Sequence, residues 1–321
     1  MKSMNYKHYG GPEVIEIIEK DLPAIGPNEV LVKIMASSIN AADYDLLTGN
    51  LYGRLSGMTK PKYSVLGSDI AGEVVNIGHQ VKTFVVGDRV FGDMSEEGFA
   101  TFAEFKAVHE RALVKIPNDM SYIDAAALPS AAVIALQAFN NKRPLESGKL
   151  LLSGAGGGMG SYALKIAKLK GIEVTAIDND FKLEELKALG ADKTYDFEKV
   201  KYHQLEDKFD RIIDCHAVFS SKKIKKVLKD DGICYVIGGK ARTMINIGLN
   251  SLFSKNNYYI GLLLAKFNAK LQMKEICDYY TNHDIKPVID KVYTLDQIQE
   301  AFIRFESKKF VGKIVIEIQK G

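Results

Sequence analysis

Residues 151–171 read LLSGAGGGMGSYALKIAKLKG, and five glycines fall within the seven residues from Gly154 to Gly160. The apolar run KLLLSG leads into them and the stretch GSYALKIAKLKG follows. That pattern predicts a strand, a tight bend and a helix. Glycines turn the chain sharply and leave the main chain open to a bulky anion. The helix start then offers unpaired N–H groups and the positive end of its dipole.

Ala155, Gly157 and Gly160 follow a GxGxxG frame whose first glycine is an alanine. Asp178 ends the next apolar run, EVTAID, about twenty residues further on, where a carboxylate can accept from ribose hydroxyls. A strand before, a helix after and this acid make the bend a dinucleotide-binding turn rather than a turn that only packs a helix on a sheet.

The rest of the chain supplies the setting. FKLEELKALG (181–190) and KIKKVLKDDG (223–232) read as helices. ADKTYDF, FDRIIDCHA (209–217) and ICYVIGG (233–239) read as strands. Strands alternating with helices predict a parallel, doubly wound sheet. The first part differs: VIEIIEK, EVLVKIMASSI, DIAGEVVNIG, DRVFGDM and FATFAEFKAV predict short strands of a barrel-like all-β unit. The character changes near residue 120 at the helical SYIDAAALPSAAVIALQAF. KLQMKEICDYYTNHDIK is a further helix, and VIDKVYTL and GKIVIEIQ return to strand. At 321 residues the chain divides into two domains. The boundaries expected are 1–120 with 290–321 for the β unit and 121–289 for the dinucleotide-binding unit.

Composition narrows the function. Lys plus Arg is 43 and Asp plus Glu 40, a net charge of +3 that gives no electrostatic case for nucleic acid or a membrane surface. Three cysteines, 215, 234 and 277, have no CxxC spacing, which argues against disulfides and a cysteine-built zinc site and points to a reducing cytoplasm. The N-terminus carries no apolar h-region, and the longest apolar tract (125–139) is too short to span a membrane.

With these features in place, the chain resembles the medium-chain dehydrogenase/reductase superfamily, in its zinc-independent quinone oxidoreductase branch. The matching stretches, in order, include NEVLVKIMASSINAADYDLLTGNLY, VLGSDIAGEVVNIG, VKTFVVGDRVFG, FATFAEFKAV, AAALPSAAVIALQAF, LLSGAGGGMGSYALKIAK and LGAD. The resemblance implies an α/β protein with a GroES-like β-barrel catalytic domain, a Rossmann domain and NAD(P)H held in a cleft between them. It implies hydride transfer to a quinone, enone or related activated carbonyl compound. Two other readings stay open: a cofactor-binding sensor or interaction protein with little catalysis, and an alcohol dehydrogenase-like enzyme without zinc.

Zinc members of the superfamily use an early cysteine and then His-Glu after a glycine. Here Asn40 stands at the first position and Ser68 and Asp69 at the second. One carboxylate cannot supply the roughly three ligands of a catalytic zinc, so no metal is expected. By resemblance Asn40 and Tyr52 are the catalytic candidates. Tyr52, in the expected loop GNLYGRLSGMTKPKYS (49–64), donates a hydrogen bond or proton to the substrate oxygen, directly or through water, and Asn40 orients the substrate. Asp69 is assigned a structural hydrogen-bonding role, and Asp43, Asp45 and Tyr63 structural or solvated ones. A threonine common in the family near the nicotinamide is Ile134 here.

The cofactor would be held by the loop residues Ala155, Gly157, Gly158, Met159 and Gly160, by Asp178 and Lys182, by His216 beside the ribose, and by the backbone of Gly238 and Gly239 near the nicotinamide. Cys215 is assigned to the core. Asp178 leans the choice to NADH over NADPH, with Phe181 and Phe197 where NADPH relatives carry a basic residue and a tyrosine; Lys182 and Asn179 could still serve a 2′-phosphate. Asp180 is the expected cap of the following helix. YYIGLLL (258–264) is the expected homodimer strand.

Overall fold

The computed structural model describes residues 1–239, 241–252, 258–263 and 270–319, and of residues 51, 52, 241 and 250–252 it describes the backbone alone. Two compact units emerge, Met1–Val133 with Lys266–Gly321, and Ile134–Ala265. Residues 121–133 and 266–289, which the sequence assigns to the dinucleotide-binding domain, group with the first unit. One reason is visible in the helix Lys270–His283, where Tyr280 Oη donates to Asp124 Oδ2 at 2.7 Å.

In the first unit the strands Ile289–Thr294, Lys313–Glu317, Glu29–Ser38, Asp69–Ile77, Arg89–Asp93 and Leu113–Lys115 lie side by side in that order, and Phe105–His109 also pairs with Glu29–Ser38. Glu29–Ser38 is long enough to have two partners on one edge. Its first half pairs with Phe105–His109 and its last three residues with Lys313–Glu317. Register shifts at Leu31/Val32 and Ile34/Ala36 mark bulges that bend it between the two. Its inward residues Val30, Val32 and Ile34 are fully buried with Ile70, Val74 and Val90. A second core gathers Met4, Tyr6, Leu46, Leu66, Phe102 and Phe302 under the helices Ala41–Thr48 and Ile298–Ser307.

The register of this sheet places the residues that matter later. Val315 pairs with Ser38, Ser38 with Asp69, and Asp69 with Asp93. Three polar side chains thus stand in one row across the sheet, with the start of the C-terminal strand, Lys313, close by.

The second unit is a six-stranded sheet in which every pairing is parallel. Taken across the sheet, its strands are Lys193–Asp196, Glu173–Asp178, Lys149–Ser153, Phe209–Asp214, Leu228–Val236 and Tyr259–Leu262. The chain runs outward from Lys149–Ser153 in one direction, then returns to start again beside it. That reversal between Lys149–Ser153 and Phe209–Asp214 is the switch point at which such sheets bind ligands. Leu151, Ile212, Cys234 and Val236 fill the core on one face.

Three local expectations change. KIKKVLKDDG is helical only over Ser221–Ile224, and the next strand already starts at Leu228. Leu228 pairs with Phe209 and is buried, so sheet pairing overrides the helical pattern. The segment expected as a loop after Asn50 forms the helix Leu51–Ser56. The tract 121–139 is two helices, Tyr122–Ala126 and Pro129–Asn140, because Pro129 cannot continue the first and starts the second.

Candidate cofactor and active site

The glycine turn forms as its sequence requires. Gly154 leaves the strand Lys149–Ser153 at φ +85°, a conformation that favours glycine, and the helix Gly158–Leu169 begins after its N-cap Gly157. The glycines divide by purpose. A Cβ on Gly160 would lie 2.3 Å from Gly154 O and 2.7 Å from Ala155 Cα, so this glycine lets the helix pack on the turn. A Cβ on Gly157 would meet only Gly154 O, at 3.6 Å. Among the described residues nothing else comes within 4 Å of that space, which lies at the N-terminal end of a twelve-residue helix. Ala155 is fully buried, and Gly158 and Met159 open the helix half-exposed.

Asp178 ends the neighbouring strand and is 2% exposed. Its Oδ2 accepts from Gly156 N at 2.7 Å and its Oδ1 from Asn179 N at 2.8 Å. Lys182 is also buried, with Nζ 3.3 Å from Asp178 Oδ1. Its stem lies across the turn, since a Cβ on Gly156 would come within 2.6 Å of Lys182 Cδ. The acid and the cation expected near the adenosine ribose therefore stand together against the glycine turn. Asp180 is not the cap: Asn179 holds the N-cap position of the short Asp180–Lys182 turn, and Asp180 is its first residue.

On the other side of the switch point, the fully buried Asp214 ends its strand and orders the chain beyond it. It accepts from Tyr202 Oη at 2.8 Å and from His216 N at 2.9 Å. His216 Nδ1 lies 3.1 Å from Ser153 Oγ, and its ring stacks on Phe197 with centroids 5.9 Å apart. Gly239 takes φ +116°, and a Cβ there would overlap His216 O. So His216, Gly238 and Gly239 gather where the central strands end. Cys215 is not a core residue. It is half-buried just past the strand end, beside Gly154, and its surroundings and the nearby Asp214 and Asp178 push its thiol well above the usual range. Such a thiol is a poor nucleophile.

The first unit carries a buried polar cluster built on the row Ser38–Asp69–Asp93. Asp69 is fully buried. Its Oδ1 accepts from Ser130 N at 2.9 Å and Ser130 Oγ at 2.8 Å, which caps the helix Pro129–Asn140. Its Oδ2 accepts from Ser38 Oγ at 2.6 Å, Asn40 Nδ2 at 2.8 Å and Lys313 Nζ at 3.1 Å. Asn40 Nδ2 also donates to Ser68 Oγ at 3.0 Å, and Asn40 Oδ1 accepts from Lys313 at 2.6 Å. The candidate Asn40 thus has both amide hydrogens engaged within the cluster. Tyr52, the other catalytic candidate, has its side chain outside the described residues.

Two carboxyls border this cluster. Ser130 Oγ is also hydrogen-bonded with Asp93 Oδ2. One hydroxyl has one hydrogen, and Asp69 already receives a full set of donors, so Asp93 supplies the other proton as a carboxylic acid. Burial and then the Asp69 charge push Asp93 up to about 7, in agreement. Asp43 accepts from Asn40 N at 2.8 Å and Gly67 N at 2.9 Å; burial pushes it up to about 7 while these N–H groups pull it down. The sequence reading treats Asp43 as structural or solvated, and the structure makes it structural. It missed Asp93, Ser130 and Lys313. Lys313 has a signal after all, a lone cation opening the apolar strand KIVIE.

A doubly wound sheet with an open glycine turn at its switch point defines a dinucleotide-binding unit, here in one chain with a bulged β unit. The family described as "Alcohol dehydrogenase GroES-like domain" matches residues 26–118, and that described as "Zinc-binding dehydrogenase" matches 189–316. The 2-methylene-furan-3-one reductase of Solanum lycopersicum is 33% identical over 98% of this chain and 79% of its own. The chloroplastic NADPH-dependent alkenal/one oxidoreductase of Arabidopsis thaliana is 30% identical over 98% of this chain and 79% of its own. The solved quinone oxidoreductase of Coxiella burnetii shares the fold at a TM-score of 0.87 and 24% identity, covering 99% of both chains. The chain belongs to the medium-chain dehydrogenase/reductase superfamily, among its quinone oxidoreductase-like members.

Proposed function

We propose that the protein is an NAD(P)H-dependent reductase of enones, quinones and related activated carbonyl compounds. The observation that carries this is the unfilled approach to Gly157 at the head of the helix Gly158–Leu169, with Asp178 beside it. The similarity to a furanone reductase and an alkenal/one oxidoreductase supports the substrate class. The turn Ala155–Gly160 would hold the pyrophosphate, Asp178 and Lys182 the adenosine ribose, and His216, Gly238 and Gly239 the nicotinamide half. When bound, the cofactor supplies a hydride.

The chain's own part is to bind, orient and donate. Negative charge develops on the substrate oxygen after hydride addition and needs a donor. Tyr52 is our candidate for it. Asn40 can add a second hydrogen bond by exchanging Ser68, the longer of its two Nδ2 partners. We further propose that no zinc takes part, since Asp69 is already neutralised by Lys313, and Asn40 and Ser68 are poor zinc ligands.

The buried ion pair of Asp178 and Lys182 supports use of NADH, since a carboxylate at this strand end would accept from ribose hydroxyls and oppose a 2′-phosphate. The NADPH named for the Arabidopsis relative supports the other choice, with Lys182 turned to the phosphate. The strand Tyr259–Leu262 ends the sheet's strand order and supports a homodimer formed along that edge.

Turnover decides the reading. Purified protein with NADH or NADPH should oxidise the nicotinamide, followed by absorbance, on addition of members of a quinone and enone panel, and should do so in the presence of chelators. Cofactor binding without turnover across the panel would leave a cofactor sensor. Loss of activity with chelator would return zinc to the site.

A further inference from the structure

The helix Leu51–Ser56 carries Tyr52 and is six residues long, too short to keep its shape or its place by its own hydrogen bonds. What fixes it comes from outside. At its start Asn50 Oδ1 accepts from Gly53 N at 3.2 Å, and Asn50 Nδ2 donates to Asp45 Oδ1 on the helix Ala41–Thr48. Gly53 lies against that same helix, since a Cβ there would come within 2.6 Å of Asp45 O. At its end stands Tyr9, 44 positions before Gly53 in the chain. The Tyr9 hydroxyl faces three carbonyls: Gly57 O is nearest, with Gly53 O at 3.2 Å and Lys60 O at 3.3 Å. A hydroxyl has one hydrogen to give, and the nearest carbonyl takes it.

We propose that Tyr9 is a positioning residue for the reductase reaction: it holds the helix bearing Tyr52 by its last turn and so sets where that donor stands. The inference rests on the reading above that Tyr52 donates to the substrate oxygen. The Tyr9 ring is itself fixed. It packs on Gly49, the left-handed cap that ends Ala41–Thr48, where a Cβ would lie 2.4 Å from Tyr9 Cγ. The Arg54 guanidinium, from the same short helix as Tyr52, lies over that ring at 5.1 Å from its centroid and donates to Met58 O at 3.2 Å. The chain around Tyr9 is tied down on both sides of the Tyr52 segment. Tyr6 N donates to Ser64 O at 3.0 Å, and Gly10 N donates to Leu47 O at 3.1 Å. Residues 6–10 thus cross the stretch 47–64 as a strap, and the Tyr9 hydroxyl is its hold on the turn that ends the helix. Loss of this one hydrogen bond leaves the fold standing but loosens the helix. A donor displaced by about 1 Å can slow its reaction by about a hundredfold.

A double-mutant cycle tests this. Tyr9→Phe removes the hydroxyl and keeps the ring. Its melting temperature should stay within about 3 °C of wild type, the scale of one part-buried hydrogen bond in a chain of this size. Amide hydrogen exchange in peptides covering residues 50–60 should speed up about tenfold, with peptides from residues 149–214 unchanged. With an enone or quinone that wild type reduces, kcat should fall about tenfold or more while KM for the nicotinamide cofactor stays unchanged. Tyr52→Phe should lower kcat at least as much. Tyr9→Phe added to Tyr52→Phe should then cost nothing more, because Tyr9 acts through Tyr52. Wild-type exchange in Tyr9→Phe, a wild-type kcat in Tyr9→Phe, or losses that multiply in the double variant would each overturn the proposal. Failure of the underlying reading has a different signature: full kcat in Tyr52→Phe, or no turnover of the whole panel by wild type, would overturn both. Failure of the strap alone would show as a slow Tyr52→Phe beside a Tyr9→Phe that matches wild type.

Discussion

At Gly157 and Gly160, two glycines three residues apart answer to different demands. A methyl group on Gly160 meets backbone at 2.3 Å and has nowhere to go. Gly160→Ala should therefore lower the melting temperature. Gly157→Ala adds its methyl to open space, 3.6 Å from the nearest atom. It should melt as wild type yet bind the dinucleotide about tenfold more weakly, an effect calorimetry can read. Asp178 is a second residue with two duties, since it holds Gly156 N and pairs with Lys182. If Asp178 opposes a 2′-phosphate, Asp178→Ser removes that opposition and releases the lysine. The kcat/KM ratio of NADPH to NADH should rise by about tenfold or more. Asp93 sets a pH dependence. Its folded pKa is raised from 3.8 to about 7, so the native state holds the proton more tightly than the unfolded chain. Its contribution to stability is complete below about pH 4 and is lost as pH rises through about 7. Asp93→Asn keeps a donor toward Ser130 and an acceptor for the Ser95 N–H. Melts from pH 5 to 8 should decline less steeply in that variant than in wild type.

Among the elements, the helix Pro129–Asn140 shows how a single strand residue finishes a structure. Its last carbonyls have no partners within the helix. Arg211, fully buried in the strand Phe209–Asp214, donates to Ala138 O, Phe139 O and Arg143 O, and its guanidinium lies over the Tyr235 ring. No carboxylate is among these partners; the cation is held by carbonyls at the negative end of a helix dipole. Burial lowers its pKa to about 10, so it remains charged at neutral pH. Arg211→Met fills similar volume but takes the donors from Ala138 O and Arg143 O, while Phe139 O keeps Leu145 N. It should cost about 2–3 kcal/mol in urea unfolding. The elements also show where a sequence pattern misleads. KIKKVLKDDG has a helical pattern, but Leu228 is drawn into a strand by its neighbour Phe209. The pairing partner lies nineteen positions away, beyond the window in which periodicity is read.

For the molecule as a whole, the strand order of the six-stranded sheet leaves Tyr259–Leu262 at one end. If that edge joins two chains, light scattering should give a mass of twice 35.5 kDa. A single-chain mass at micromolar concentration would remove the dimer. The large features were legible in the sequence because their causes are local. Glycine spacing, a strand before it and a helix after it dictate the dinucleotide turn, and alternating strand and helix patterns dictate a parallel sheet. Asp178 could be identified because it follows the turn at the spacing of one strand-helix-strand step. The buried cluster was only half legible. Asn40 and Asp69 lie in stretches where the resemblance directs attention, but Asp93, Ser130 and Lys313 are separated from them by up to 273 positions. Their meeting depends on the bulged register of Glu29–Ser38 and on the return of the C-terminal strand, which no short window contains. The sequence by itself determined the turn, the parallel sheet and the absence of the usual cysteine and histidine zinc ligands, since these follow from residue type and near spacing. Only the tertiary structure decided which proton Asp93 keeps and which cation faces Asp69, because hydrogen bonds and charges act through space between residues that the chain holds far apart.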